Sequence, residues 1–175
     1  AKIYLINILI FLCMRLNIFF IQHYLPTADL AYYQIAANVT ERLWLLPNAL
    51  STMLYHTLLS TDRRPTELTL KVCRNNLFAT IMISIPVLLL AELAVELFYG
   101  EEYLPTAAAI YSMMWGIVVY PVFRMIQEDF AAQNRLSYGI IASGIGIAVN
   151  FFANLVLVPR YGVVGAGVAT SLSFT

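Results

Sequence analysis

Charge is what this 175-residue sequence has least of. Lys and Arg number 10, Asp and Glu 10, together 11% of the chain, against about a quarter in a soluble globular domain. With a mean hydropathy of +0.76, the chain is too apolar to be an ordinary soluble domain. The two cysteines, Cys13 and Cys73, show no metal spacing and fall at different membrane depths, so neither a metal site nor a disulfide is expected. No Gly-x-x-x-x-Gly-Lys-Ser/Thr loop, His-Glu-x-x-His, Cys-x-x-Cys or Gly-x-Ser-x-Gly elbow occurs. The neighbouring Glu101 and Glu102 would point apart. Nothing here argues for an enzyme, a catalytic residue, a cofactor or a metal, and no nucleic-acid partner is expected. The chain has no initiating Met and no signal-peptide layout, and it stops about 13 residues into a new apolar segment; we expect a piece of a longer protein.

What is present is a series of apolar runs, several reaching the ~20 residues that cross a bilayer as a helix. The spans expected are Ile3–Gln22, Leu30–Leu59, Leu77–Leu97, Ala107–Ile126 and Tyr138–Val158, with a truncated sixth from about residue 163. Pro47 should kink the second helix, and Pro86 and Pro121 lie inside the third and fourth. Lys2, the loop residues Arg63, Arg64, Lys71 and Arg74, and Arg135 fall on one side; only Arg160 falls on the other. The positive-inside rule then places Ser60–Asn76 and Gln133–Arg135 in the cytoplasm.

Three arginines interrupt these runs: Arg15, Arg42 and Arg124. An arginine at the centre of a membrane helix costs about 2.5–3.5 kcal/mol. A buried carboxylate, a water-filled cavity or an anionic ligand must offset it. Arg124 has Glu128 at i+4 and can satisfy itself on its own helix. Arg42 has Glu41 beside it, and whether those two pair or Glu41 takes a cation stays open. Arg15 has no acidic residue in its span.

At 100° per residue, Gln34, Asn38, Glu41, Asn48 and Thr52 fall within about 40° of one line on the second helix. Arg42 lies at the edge of that stripe, and Tyr55 and His56 flank it. Such a stripe cannot face hydrocarbon. Interhelical hydrogen bonding accounts for any one of these residues; the whole stripe favours a hydrated cavity. Asn7, Arg15 and Gln22 form a similar arc on the first span, whereas Asn17 points elsewhere. Glu92 and Glu96 read as wetted interface residues, and His23 and His56 as isolated. Gly139, Ser143, Gly146, Asn150 and Asn154 make the fifth span a packing helix, its small residues allowing close approach and its asparagines bonding across the interface.

Three stretches carry a family resemblance. The first is Ala31-Tyr32-Tyr33-Gln34-Ile35-Ala36-Ala37, running through Glu41-Arg42 to Leu46-Pro47-Asn48-Ala49-Leu50. The second is Leu97-Phe98-Tyr99-Gly100-Glu101-Glu102-Tyr103 followed by Ala107-Ala108. The third is Asn150-x-x-x-Asn154 and then Val158-Pro159-Arg160-Tyr161-Gly162-Val163-Val164-Gly165-Ala166-Gly167-Val168-Ala169-Thr170. In that order they resemble the C-terminal half of the bacterial polysaccharide-export flippases, whose superfamily also holds multidrug/cation antiporters and the lipid II flippase. Tyr99 before Gly100, and Gly167 where a second alanine is usual, depart from the pattern.

The resemblance implies an all-α, polytopic transmembrane helical bundle: one lobe of a two-lobed alternating-access transporter in the bacterial cytoplasmic membrane. It implies that the missing N-terminal half and the membrane lipids are its partners. It also implies a substrate, an undecaprenyl-pyrophosphate-linked oligosaccharide flipped outward for surface polysaccharide such as lipopolysaccharide O-antigen. On this reading Arg15 and Arg42 attract the anionic headgroup, with Glu41 beside them, and Gln34, Asn38, Asn48 and Thr52 bond sugar or water. The alternatives are a cation-coupled multidrug exporter using Glu41 and a non-transporting membrane scaffold.

Overall fold

The computed structural model describes residues 2–60 and 66–175. Arg63 and Arg64 of the basic loop lie outside the described residues, as does the side chain of Tyr55. The described residues form six α-helices: α1 (Lys2–Tyr24), α2 (Thr27–Leu43), α3 (Leu45–Ser60), α4 (Thr66–Tyr99), α5 (Pro105–Ala132) and α6 (Leu136–Ser173). A single 3-10 turn, Glu101–Tyr103, joins α4 to α5. Among the described residues four stretches are long and apolar enough to cross a membrane: Ile6–Tyr24, Leu68–Tyr99, Glu101–Ala132 and Leu136–Ser173. The protein is a multi-pass, all-α membrane protein.

The expected second helix arrives as two. It breaks at Trp44, three residues before Pro47, where the amide of Trp44 reaches back only to the Glu41 carbonyl (3.2 Å). Pro47 has no N–H to give the carbonyl of Leu43, and its ring crowds that carbonyl, so the strain is relieved on the N-terminal side of the proline. Helix α4 starts earlier than the apolar run suggests, taking Lys71 and Arg74 into its first turns. Its 34 residues make a helix about 50 Å long, longer than a ~30 Å hydrocarbon core, so the basic end extends past the apolar layer. Leu89, Leu93, Leu97 and Phe98 are all exposed along it, as a lipid-facing helix requires.

Helix α5 is central and packs against α2, α3, α4 and α6. The break at Trp44 is sealed onto it by aromatic rings: Trp44 stacks on Tyr120 (4.2 Å between centroids), and both meet Phe174 edge-on. Helix α5 is stopped by Asn134, two residues past its end, whose φ of 58° lets the Arg135 amide return to the Phe130 carbonyl (2.8 Å), a left-handed helix stop.

Inside α6 the chain turns at Gly162 (φ 60°, ψ −136°). Gly146 lies against the carbonyl of Ser173, and Gly165 against that of Leu157. The arms 136–161 and 163–173 therefore run back along each other as a helical hairpin. Pro159 precedes the turn, in a position where continuing one straight helix is disfavoured.

Candidate functional site

A cleft of about 330 Å³ opens between α1 and α2, with Met113 of α5 and Thr170 of α6 behind it. Helix α1 contributes Phe11, Arg15, Asn17 and Ile18; α2 contributes Tyr33, Gln34, Ala37, Asn38, Thr40 and Glu41, and Trp44 lies at its end. Helical spacing explains the selection, because residues 34, 37, 38 and 41 form one i, i+3, i+4, i+7 face and Phe11 and Arg15 stand one turn apart.

Four of the seven residues expected at the site meet here: Arg15, Gln34, Asn38 and Glu41. All four are exposed to the cleft or its mouth. The guanidinium of Arg15 lies 5.1 Å from the centre of the Phe11 ring, a cation–π contact that holds the charge without neutralising it. Among the described residues the one ion pair is Arg124–Glu128, at 2.8 Å on one helix turn, so Glu41 closes a salt bridge with neither Arg15 nor Arg42. The cleft thus carries a guanidinium without an ion pair, a carboxylate and three side-chain amides, those of Asn17, Gln34 and Asn38.

The other three are placed elsewhere. Arg42 is exposed and outside the cleft lining. Asn48 is half-buried, and its side-chain amide oxygen, unlike its main-chain carbonyl, has no hydrogen-bond partner. Thr52 is exposed and spends its hydroxyl on the Asn48 carbonyl one turn back (2.9 Å). The stripe is divided because the break at Trp44 ends the continuous 100° rotation that would have carried one face from Gln34 to Thr52. On α1, Asn7 lies in a separate small cleft with Arg124, Gln127 and Glu128, away from Arg15.

The wall behind Arg15 is a buried polar node that the sequence reading did not foresee. Asn17, fully buried, donates to the Thr170 hydroxyl (2.9 Å), and its carbonyl oxygen accepts from Asn154 (2.7 Å) and Asn150 (3.3 Å). Thr170 donates to the Ala166 carbonyl (3.0 Å), and the Tyr33 hydroxyl stands 3.5 Å from the Thr170 oxygen. These contacts tie α1, α2 and both arms of α6 together directly behind the cleft. Asn150 and Asn154 do bond across a helix interface as their spacing suggests. Asn17 gave one signal in the sequence, an amide isolated in an apolar run, which must find a buried partner.

The hairpin in turn packs on α5 through small residues. A Cβ at Gly116 would lie 2.7 Å from the Ser171 Cα, and one at Gly167 would run into the Ser112 side chain. The Ser171 hydroxyl donates to the Ser112 carbonyl (2.8 Å) and accepts from the Gly116 amide (3.1 Å). A methyl at Gly167, where the resembling sequences usually have alanine, would displace the Ser112 side chain.

Comparison with known proteins agrees with this architecture. The solved structure of the lipid II flippase MurJ, in an inward closed conformation, superposes with a TM-score of 0.62 at 20% identity, covering 83% of this chain and 33% of that one; the likeness is one of fold. Agl15 of Haloferax volcanii, described as a probable low-salt glycan biosynthesis flippase, is 21% identical over 156 residues, 86% of this chain and 33% of that protein. The chain therefore spans about a third of the length of either relative. A family model described as "Polysaccharide biosynthesis protein" matches residues 1–108, a stretch that contains Arg15, Gln34, Asn38 and Glu41. With well over half of the sequence inside that match, the chain belongs to the polysaccharide biosynthesis protein family.

Proposed function

We propose that the cleft between α1 and α2 receives the anionic headgroup of a lipid-linked oligosaccharide, and that the protein flips this lipid across the membrane. The observation that carries the reading is Arg15: a guanidinium in a polar cleft with no ion pair, held only against the Phe11 ring. A guanidinium fork suits phosphate oxygens, and in a low-dielectric cleft the attraction exceeds its value in water. Gln34 and Asn38 supply donors and acceptors for sugar hydroxyls. The names of the two relatives, a glycan-biosynthesis flippase and a lipid II flippase, point the same way.

In its full form the reading is an undecaprenyl-pyrophosphate-linked oligosaccharide, moved by alternating access between this lobe and an N-terminal half in a bacterial cytoplasmic membrane, with residues 60–76 and 133–135 on the cytoplasmic side. The headgroup would cross through the cleft while the polyprenyl tail stays in the bilayer. A flipping assay on vesicles containing the full-length protein tests it. Polyprenyl-pyrophosphate glycan should become accessible to an external glycan-cleaving enzyme faster than in protein-free vesicles, and equal rates would refute it.

Glu41 in the same cleft favours a second reading, a cation-coupled multidrug exporter. Raised drug resistance in a pump-deficient host, without glycan export, would establish that alternative.

A further inference from the structure

A second concavity lies on the opposite side of α2 from the cleft. It holds about 590 Å³ between α2, α4 and α5. Ile35 and Val39 face it from α2, alternating with Gln34 and Asn38, which face the cleft. Ala91 and Ala94 on α4 leave the space, and the wall runs along α4 from Pro86 to Tyr99. At 1.5 Å per residue that wall is about 20 Å tall, enough to pass through one leaflet of a ~30 Å hydrocarbon core. An apolar concavity between membrane helices excludes water and is filled by a lipid chain or by apolar side chains.

The end of the groove indicates which hydrocarbon. Tyr103 meets Tyr32 of α2 edge-on at 5.6 Å and Tyr99 of α4 at 5.9 Å, so three tyrosines form a rim of the kind found at headgroup level. The two segments that build this rim, residues 26–32 and 99–105, carry Asp29, Glu101 and Glu102 and no lysine or arginine. Glu101 and Glu102 are exposed on the turn held by Gly100, whose φ of 94° suits glycine. Carboxylates on the turn that follows the lining residue Tyr99 repel a headgroup bearing only phosphate and attract one bearing an ammonium. A lipid whose phosphate sat by Arg15 would also have to pass its tail around α2 to enter the groove.

We propose that this groove holds an acyl chain of an amine-headed phospholipid of the phosphatidylethanolamine type, bound as a resident lipid distinct from the transported one. The ammonium lies at the Glu101–Glu102 turn and the chain runs down α4 toward Pro86.

The test is lipid retention. The full-length protein is reconstituted in vesicles of equal parts phosphatidylethanolamine and phosphatidylglycerol doped with undecaprenyl phosphate, then extracted mildly, and the retained lipids are counted by mass spectrometry. Phosphatidylethanolamine should exceed phosphatidylglycerol by about threefold or more, the scale of two exposed charge contacts. The paired Glu101→Gln, Glu102→Gln variant should equalise the two, and Ala94→Leu, which fills the groove, should lower total retention. The paired variant changes only exposed side chains, so it remains readable if Ala94→Leu fails to accumulate. Preferential retention of phosphatidylglycerol or undecaprenyl phosphate would overturn the proposal. So would retention that neither variant alters, or no retained lipid at all, which would leave the groove to a protein segment.

Discussion

Arg15 on α1 and Glu41 on α2 line the same cleft without forming an ion pair. A pair formed between them would neutralise the cleft and leave little attraction for an anion. Kept apart, the guanidinium retains its charge for the anionic ligand of the proposed function.

Replacing Arg15 with Ala should abolish polysaccharide export by the full-length protein while the protein still inserts, and Lys should retain part of it. Lys keeps the charge but loses the planar fork. Surface polysaccharide and membrane-fraction protein, measured side by side, check this; full export by the Ala variant would remove Arg15 from the role.

Replacing Glu41 with Gln removes the only carboxylate among the described residues of the cleft lining. For an anion-binding cleft, export should persist and pyrophosphate-lipid affinity should rise by about two- to fivefold, since a repulsive charge is lost. A drug exporter coupled to a cation at Glu41 would lose transport instead, so the direction of the change separates the two readings.

Asn17→Leu leaves the Asn150 amide without its acceptor and removes the bonds to Asn154 and Thr170, although Asn154 keeps its bonds to Asn150. Interhelical hydrogen bonds in membranes average about 0.6 kcal/mol each, and stranded buried groups add more, so a loss of about 2 kcal/mol or more is expected. Asn7→Leu, at an exposed position on the same helix, should be near neutral. Thermal unfolding of the two variants in detergent makes the comparison.

Gly167→Ala should cost about 1–3 kcal/mol, because a methyl there runs into Ser112 on α5 and the hairpin must move away. Gly144→Ala on the first arm meets nothing within 4 Å, and should be neutral or gain up to about 1 kcal/mol from helix propensity. The same unfolding measurement distinguishes them.

Local chemistry explains why much of the fold could be read in advance. The turn at Pro159–Gly162, the loop at Gly100 and the stop at Asn134 each depend on residues whose backbone preferences act within a few positions. The Arg124–Glu128 pair follows from helical spacing alone and is present at 2.8 Å. The stripe from Gln34 to Thr52 was only half readable. Its periodicity is real on each side of Trp44, but where a proline-containing helix breaks depends on what packs around it, here the Tyr120 and Phe174 rings on Trp44.

By itself the sequence determined that this chain is an all-α membrane protein, and which arginine lacks an acidic neighbour in its own span. Those follow from composition and from periods of a few residues. Tertiary structure alone decided that Arg15 shares a cleft with Gln34, Asn38 and Glu41 but not with Asn48 or Thr52, and that Asn17 anchors both arms of α6. Residues 17 and 170 are 153 positions apart, and no local period relates them. Their partnership arises from burial, which leaves an amide in an apolar core only other buried polar groups to bond.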